Sequence, residues 1–244
     1  MCTLVFGLGA LGERTVLLAT NRDEDPARPS EPPQVLRAEP LVVGGRDASA
    51  GGTWLALRPA RVGSGPAVAL LLNRHDPEPG RPGRRSRGLL TLDVAAAPNP
   101  ARTAWREAAS GRYAPCSLVW LSGGESWLLA IRAGRPPALE PIPRGWHALS
   151  HFELDDPADA RTAFLARELH GFEPATRAEA RARLRALIAS HGDAGAPAVC
   201  LHGGRAPTVS AAMIGLSPET LEYAHAPGPP CVTPFEDQAR LLGA

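Results

Sequence analysis

Apolar and polar positions along the chain put strands first and helices later. Residues 2–7 and 15–20 are short β-favouring runs on either side of a glycine-rich turn, the pattern of a hairpin. Proline-rich residues 25–34 interrupt the pattern and read as a loop. Residues 41–43, 53–57 and 67–73 resume it, the last of them apolar almost throughout, as suits a strand covered on both faces. Residues 75–87 form a Pro-, Gly- and Arg-rich stretch expected to be a disordered loop. Helices are expected over 86–96 and 100–109, then strands at 116–121, 126–132, 139–142 and 146–149. Asp156 followed by Pro157 marks the start of a helix running to about His170. Thr176 with Glu179 makes a capping box for another, ending near Ser190. Residues 198–201, 208–214 and 222–224 complete the strands. Two helical blocks separate two groups of strands without βαβ alternation. That is the order of an α+β fold with antiparallel sheets covered by helices.

Composition narrows the chemistry. The 244 residues carry a formal net charge of +1, which makes no electrostatic case for nucleic acid or an anionic membrane surface. No run approaches the length of a membrane span, and no leader precedes the first strand, so a cytoplasmic location is expected. All 26 basic residues are arginines, which excludes a lysine Schiff base, a P-loop lysine and a Ser–Lys dyad. The four cysteines, at 2, 116, 200 and 231, include no Cys-x-x-Cys pair and lack zinc spacing. No His-Glu-x-x-His occurs, and His170 and His191 fall at helix C-termini, where the dipole favours them. No metal site is therefore expected. Gly7-Leu8-Gly9-Ala10-Leu11-Gly12 matches a dinucleotide-binding pattern, but a β-branched strand follows where that motif needs a helix, so it reads as a hairpin turn.

Cys2 is the residue with the most chemistry. Removal of the initiator methionine, which a small second residue permits, would leave an α-amine beside its thiol. With a pKa of about 7.7–8.0, that amine can act as the base for its own side chain. The second strand ends in Asn21-Arg22-Asp23-Glu24, and a hairpin returns this tetrad toward position 2. Asp23 can orient the α-amine, while Arg22 either holds a substrate carboxylate or pairs with Asp23 or Glu24 as a structural clamp. Asn73 ends an apolar strand, where its amide serves either an oxyanion or a cap.

The motifs resemble the NRDE-motif family, also called the transport-and-Golgi-organisation family. The residues that carry the resemblance are Met1-Cys2-Thr3-Leu4, Asn21-Arg22-Asp23-Glu24, Gly44-Gly45-Arg46-Asp47, Gly51-Gly52-Thr53-Trp54-Leu55, Asn73-Arg74 and Ser86-Arg87-Gly88. That family is similar in turn to N-terminal-nucleophile hydrolases of the choloylglycine hydrolase and penicillin acylase type. The resemblance implies one four-layer αββα domain over residues 1–244, with Cys2 as nucleophile, Asp23 beside it, Asn73 as oxyanion amide and Arg205 in support. Asn21, Arg22, Glu24 and His151 would border a small acyl-type substrate, an amide or thioester. His151 stands where the family usually has Asn. Since family members are linked to haem trafficking, lipid metabolism and secretory organisation, the alternative is a non-catalytic binder of haem or another small molecule. In that case Cys2, His151 or His202 would ligate iron; otherwise no cofactor is expected. A purely structural or trafficking role is the third reading.

Overall fold

Gly9 and Gly12 adopt φ of 75° and 118°, which side-chain-bearing residues rarely do, and they turn the chain between β1 (Cys2–Leu8) and β2 (Val16–Asp23). The two strands pair antiparallel from Cys2↔Arg22 to Leu8↔Val16, so the expected hairpin forms. The structure, a computed structural model, describes residues 2–76, 84–192 and 195–243. Among them, two antiparallel sheets stand face to face. The first runs β10 (Gly145–Leu149), β1, β2, β11 (Thr208–Leu216), β12 (Leu221–Ala226) and β13 (Glu236–Asp237). The second runs in chain order through β3 (Ser30–Arg37), β4 (Val42–Asp47), β5 (Leu55–Arg58), β6 (Ala67–Asn73), β7 (Cys116–Ser122), β8 (Trp127–Ile131) and β9 (Ala138–Pro141).

Strand periodicity distributes the apolar side chains over three interfaces. Leu4, Phe6, Leu18 and Ile214 of the first sheet meet Val68, Leu70, Leu72 and Val119 of the second, and all are buried. On the outer face of the second sheet, Ala69, Leu118 and Trp120 pack against Leu90 and Val94 of α1 (Arg87–Ala96) and Ala104 of α2 (Pro100–Ala109). On the outer face of the first, Val5, Leu17, Ala19 and Met213 pack against Leu165 of α3 (Ala160–Leu169) and Leu184 and Ile188 of α4 (Arg177–Ile188). The layers are thus αββα, as expected. No helix among the described residues is long and apolar enough to cross a membrane.

Local chemistry accounts for the helix starts. The Asn99 side chain accepts the Arg102 amide at 2.9 Å with Pro100 in the first turn, and Thr176 Oγ1 accepts the Glu179 amide at 3.1 Å. The start expected at Asp156 falls instead at Asp159, whose carboxylate accepts the amides of Arg161 (2.8 Å) and Thr162 (3.2 Å). Asp156 only closes the turn before it, accepting Ala158 N–H at 2.9 Å. Two further expectations are corrected. Part of the proline-rich stretch is strand β3, where Pro32 and Pro33 are tolerated because β3 is a sheet edge and its register shifts between Glu31 and Gln34. Residues 198–201 are no strand, because the Ser190 carbonyl takes the amides of Val199 and Cys200 at 2.9 and 2.8 Å. Within the stretch expected to be disordered, residues 77–83 lie outside the described residues.

Asn21, wholly buried on the helix-facing side of β2, ties this layer down. Its Nδ2 donates to the carbonyls of Ile188 (2.8 Å) and Val199 (3.0 Å), at the end of α4 and in the segment after it. An Asn21→Leu substitution strands both acceptors in an apolar setting. It should cost about 2–3 kcal/mol in urea unfolding, and a loss below about 0.5 kcal/mol would refute the clamp.

Candidate active site

Period-two alternation sends neighbouring residues of the β1–β2 hairpin to opposite faces. Cys2 and Arg22, paired across the hairpin, point between the sheets. Asp23 points the other way, toward α3, and is fully buried. Its carboxylate accepts the Thr208 hydroxyl at 2.6 Å and Arg161 Nη1 at 3.3 Å, while Arg161 also donates to Thr3 Oγ1 at 2.8 Å. Burial raises the Asp23 pKa, and Thr208 and Arg161 pull it back. The half-buried Cys2 thiol is also pushed up by burial. The Asp23 charge adds to that shift, whereas the Asp23 backbone N–H and the Arg22 guanidinium favour the thiolate. The Cys2 thiol and the Asp23 carboxylate are therefore electrostatically coupled.

Cys2 opens into a cleft of about 600 Å³ between the second sheet and the start of α1. Asn73 lines the same cleft from the end of β6, its side-chain amide exposed and making no hydrogen bond to the described residues. Five arginines, Arg22, Arg28, Arg84, Arg85 and Arg87, border it with the carboxylates Glu24 and Asp47, and Arg85 is paired behind the lining with Asp93 at 2.6 Å. Arg28 pairs with Asp47 at 2.6 Å, and Glu24 lies 3.8 Å from Arg22 and 3.9 Å from Arg28. Arg22 lies 4.1 Å above the Trp54 ring, a cation–π contact. Burial lowers the Arg22 and Arg87 pKa values, and Arg87 is held by the Pro115 carbonyl at 3.0 Å. The motif glycines make this wall possible. A Cβ on Gly45 would lie 2.6 Å from the Trp54 indole, and one on Gly52 would lie 2.2 Å from the Gly88 backbone at the start of α1.

The fold gathers Cys2, Arg22, Glu24 and Asn73 around one cleft, with Asp23 behind Cys2. Other candidates fall elsewhere. Asn21 is a structural clamp on the helix side. Arg205, expected to support the nucleophile, is instead exposed and lines a separate concavity with Asp25, Arg28 and Ser49, because the Gly203-Gly204 turn carries it out to the surface. Among the described residues a cation beside Asp23 is Arg161, which no local feature of the sequence distinguishes from the other helix arginines. The three iron-ligand candidates occupy separate settings: Cys2 in the cleft, His151 buried, and His202 exposed beside other ligand-type residues. The expectation of no metal site rested on linear spacing, which does not record which ligand-type residues meet in space. His191, Cys200, His202 and Cys231 place one ligand atom each within 4.8 Å of one another.

His151 stacks on His75 with ring centroids 4.1 Å apart, and the Asn73 carbonyl lies against its ring. Its Nδ1 is buried without a hydrogen-bond partner among the described residues. Burial, reinforced by His75 and Arg161, pushes its pKa down to about 4. The folded protein thus holds fewer protons here than the unfolded chain, whose His pKa is about 6.5. The stability from this neutral ring is fully present above pH of about 6.5 and is lost as pH falls toward 4. His151→Asn should flatten the stability-versus-pH curve in that window, and an unchanged slope in urea titrations would count against the neutral ring.

Comparison with known proteins fits this geometry. The family model for Transport and Golgi organisation 2 matches residues 1–172. No curated protein matches the chain significantly. Among solved structures, penicillin V acylase from Agrobacterium tumefaciens aligns over 98% of this chain and 87% of its own, with a TM-score of 0.60 and 12% identity. The Caenorhabditis elegans ortholog of N-acylethanolamine-hydrolyzing acid amidase aligns over 90% and 94%, with a TM-score of 0.58 and 12% identity. At that identity the likeness is one of fold, and it agrees with the relation to N-terminal-nucleophile hydrolases expected from the motifs. With its motifs, layers and more than half its length matched, the chain belongs to the Transport and Golgi organisation 2 family.

Proposed function

We propose that this protein is a cysteine N-terminal-nucleophile hydrolase acting on an amide or thioester whose acyl or leaving part is anionic. The observation that carries the reading is the juxtaposition of the Cys2 thiol, backed by the buried Asp23 carboxylate, with the Asn73 amide across one cleft. Methionine removal frees the α-amine of Cys2, which takes the thiol proton as sulfur attacks the substrate carbonyl. Asn73 donates to the oxyanion of the tetrahedral intermediate. The amine returns its proton to the leaving nitrogen or sulfur as that bond breaks, leaving a thioester on Cys2. Water, deprotonated by the same amine, then releases the carboxylic acid and restores the thiol. Asp23, held by Thr208 and Arg161, orients the ammonium form of the amine. The preference for an anionic substrate follows from Arg22 and Arg87, whose guanidinium groups border the cleft that Cys2 opens into, since Arg binds carboxylate and phosphate through paired donors.

Intact-mass and peptide analysis should find Cys2 at the mature N-terminus and iodoacetamide on Cys2 ahead of Cys116, Cys200 and Cys231. Retained Met1, or no preference for Cys2, overturns the proposal. Asp23→Asn should cut turnover by about tenfold or more while Cys2 remains alkylatable, which separates positioning from nucleophilicity. The arginine lining adds a charge test. Relative to free cysteine, Cys2 should favour anionic iodoacetate over neutral iodoacetamide by several-fold at low salt. Arg87→Gln and added salt should both reduce that preference. Equal reactivity in all conditions argues for a neutral substrate.

A further inference from the structure

Away from the cleft, three segments converge on a second group of reactive side chains. His191 follows α4, Cys200 and His202 lie before β11, and Cys231 lies in the turn after β12. His202 Nε2 is 3.1 Å from His191 Nε2, 3.2 Å from Cys231 Sγ and 3.8 Å from Cys200 Sγ, and the two sulfurs are 3.5 Å apart. With Zn–S of about 2.3 Å and Zn–N of about 2.0–2.1 Å, the edges of a tetrahedral S2N2 site are about 3.3–3.8 Å long. Four of the six edges thus lie within about 0.2 Å of that range, and the other two, from His191 to the sulfurs, are at most 4.8 Å, so a small movement of the exposed His191 side chain completes the figure. Both cysteines are free thiols, and their separation is far above the bond length of a disulfide, about 2.05 Å. Two imidazoles and two thiols are also the donor set that favours zinc over magnesium or calcium.

We propose that His191, Cys200, His202 and Cys231 bind one zinc ion in a closed, structural site. Four protein ligands leave no open position for substrate or water, so the role is cross-linking rather than catalysis. What the ion would cross-link is specific. Cys200 lies between Val199, whose carbonyl accepts from Asn21, and Leu201, whose amide donates to Thr208 Oγ1 at 2.9 Å. Thr208 in turn donates to Asp23. Zinc would therefore fasten the C-terminal turn carrying Cys231 to the segment that braces β2 behind Cys2. The inference rests on ligand geometry and stands whether or not Cys2 is a nucleophile.

The full chain, purified with reductant and without chelator, should contain about one zinc per molecule by elemental analysis. After stripping with chelator, titration with Zn2+ alone should restore that stoichiometry and raise Tm. Titration with Co2+ alone should give the absorption bands of tetrahedral cobalt together with thiolate-to-cobalt charge transfer. Cys231→Ser and His202→Ala should weaken zinc binding more than about 100-fold, since even outer-shell partners of a zinc site are worth about 10–100-fold. Cys116→Ser and Cys2→Ala should bind normally. Circular dichroism of each variant identifies any that fail to fold, and the stripped wild-type chain keeps the test independent of them. The proposal is overturned by folded, reduced protein that takes up neither metal. It is equally overturned by uptake that Cys2→Ala abolishes, or by a Cys200–Cys231 disulfide persisting under reductant.

Discussion

The constraint on which the rest of the site depends is the burial of the Asp23 carboxylate. A charge withdrawn from water has to be paired and hydrogen-bonded, or it neutralises. Here the partners arrive from two other elements, Thr208 from β11 and Arg161 from α3. Satisfying one carboxylate therefore docks α3 and β11 on the end of β2. The hairpin register then places Cys2 opposite Arg22, and alternation sends them to the face opposite Asp23, into the cleft. Asn21, two residues before Asp23 on the same face, fastens α4 by a similar economy of contacts.

The cleft shows what an arginine-only basic complement does. Buried lysines readily neutralise, whereas guanidinium keeps its charge and can stack on aromatic rings. Arg22 lies over Trp54, and outside the cleft Arg58 lies 4.9 Å above Trp120. Even Arg58, lowered to about 10 by burial, remains cationic at neutral pH. A wall built this way keeps its positive field after desolvation. The motif glycines serve it sterically, since only the absence of Cβ atoms at Gly52 and Gly88 lets α1 start against the turn carrying Trp54.

Much of this was legible beforehand where local physics dominates. The β1–β2 hairpin follows from β-favouring runs around glycines, α4 from its capping box, and β6 from its unbroken apolar run. Local pattern misleads where a competing partner is remote. Residues 198–201 look like a strand, yet their amides are taken by Ser190. Asp156 looks like a cap, yet Asp159, also bonded to the Ser150 hydroxyl, starts the helix. Arg205 follows a recognisable Gly-Gly pair, but the positive φ of those glycines points the chain to solvent, and Arg161 stands beside Asp23.

The amino-acid sequence by itself determined the α+β class, most strand and helix positions and the family, and it singled out Cys2, Asp23 and Asn73 as candidates. Those properties depend on periodicity, caps and motifs that operate within a few residues. Tertiary structure decided which arginine faces Asp23, that five arginines share one cleft, that His151 is held neutral against His75, and that His191, Cys200, His202 and Cys231 meet. Each of these depends on where separate elements cross when the sheets stack. Residues about 140 positions apart, such as Asp23 and Arg161, have no local feature that records the distance between them.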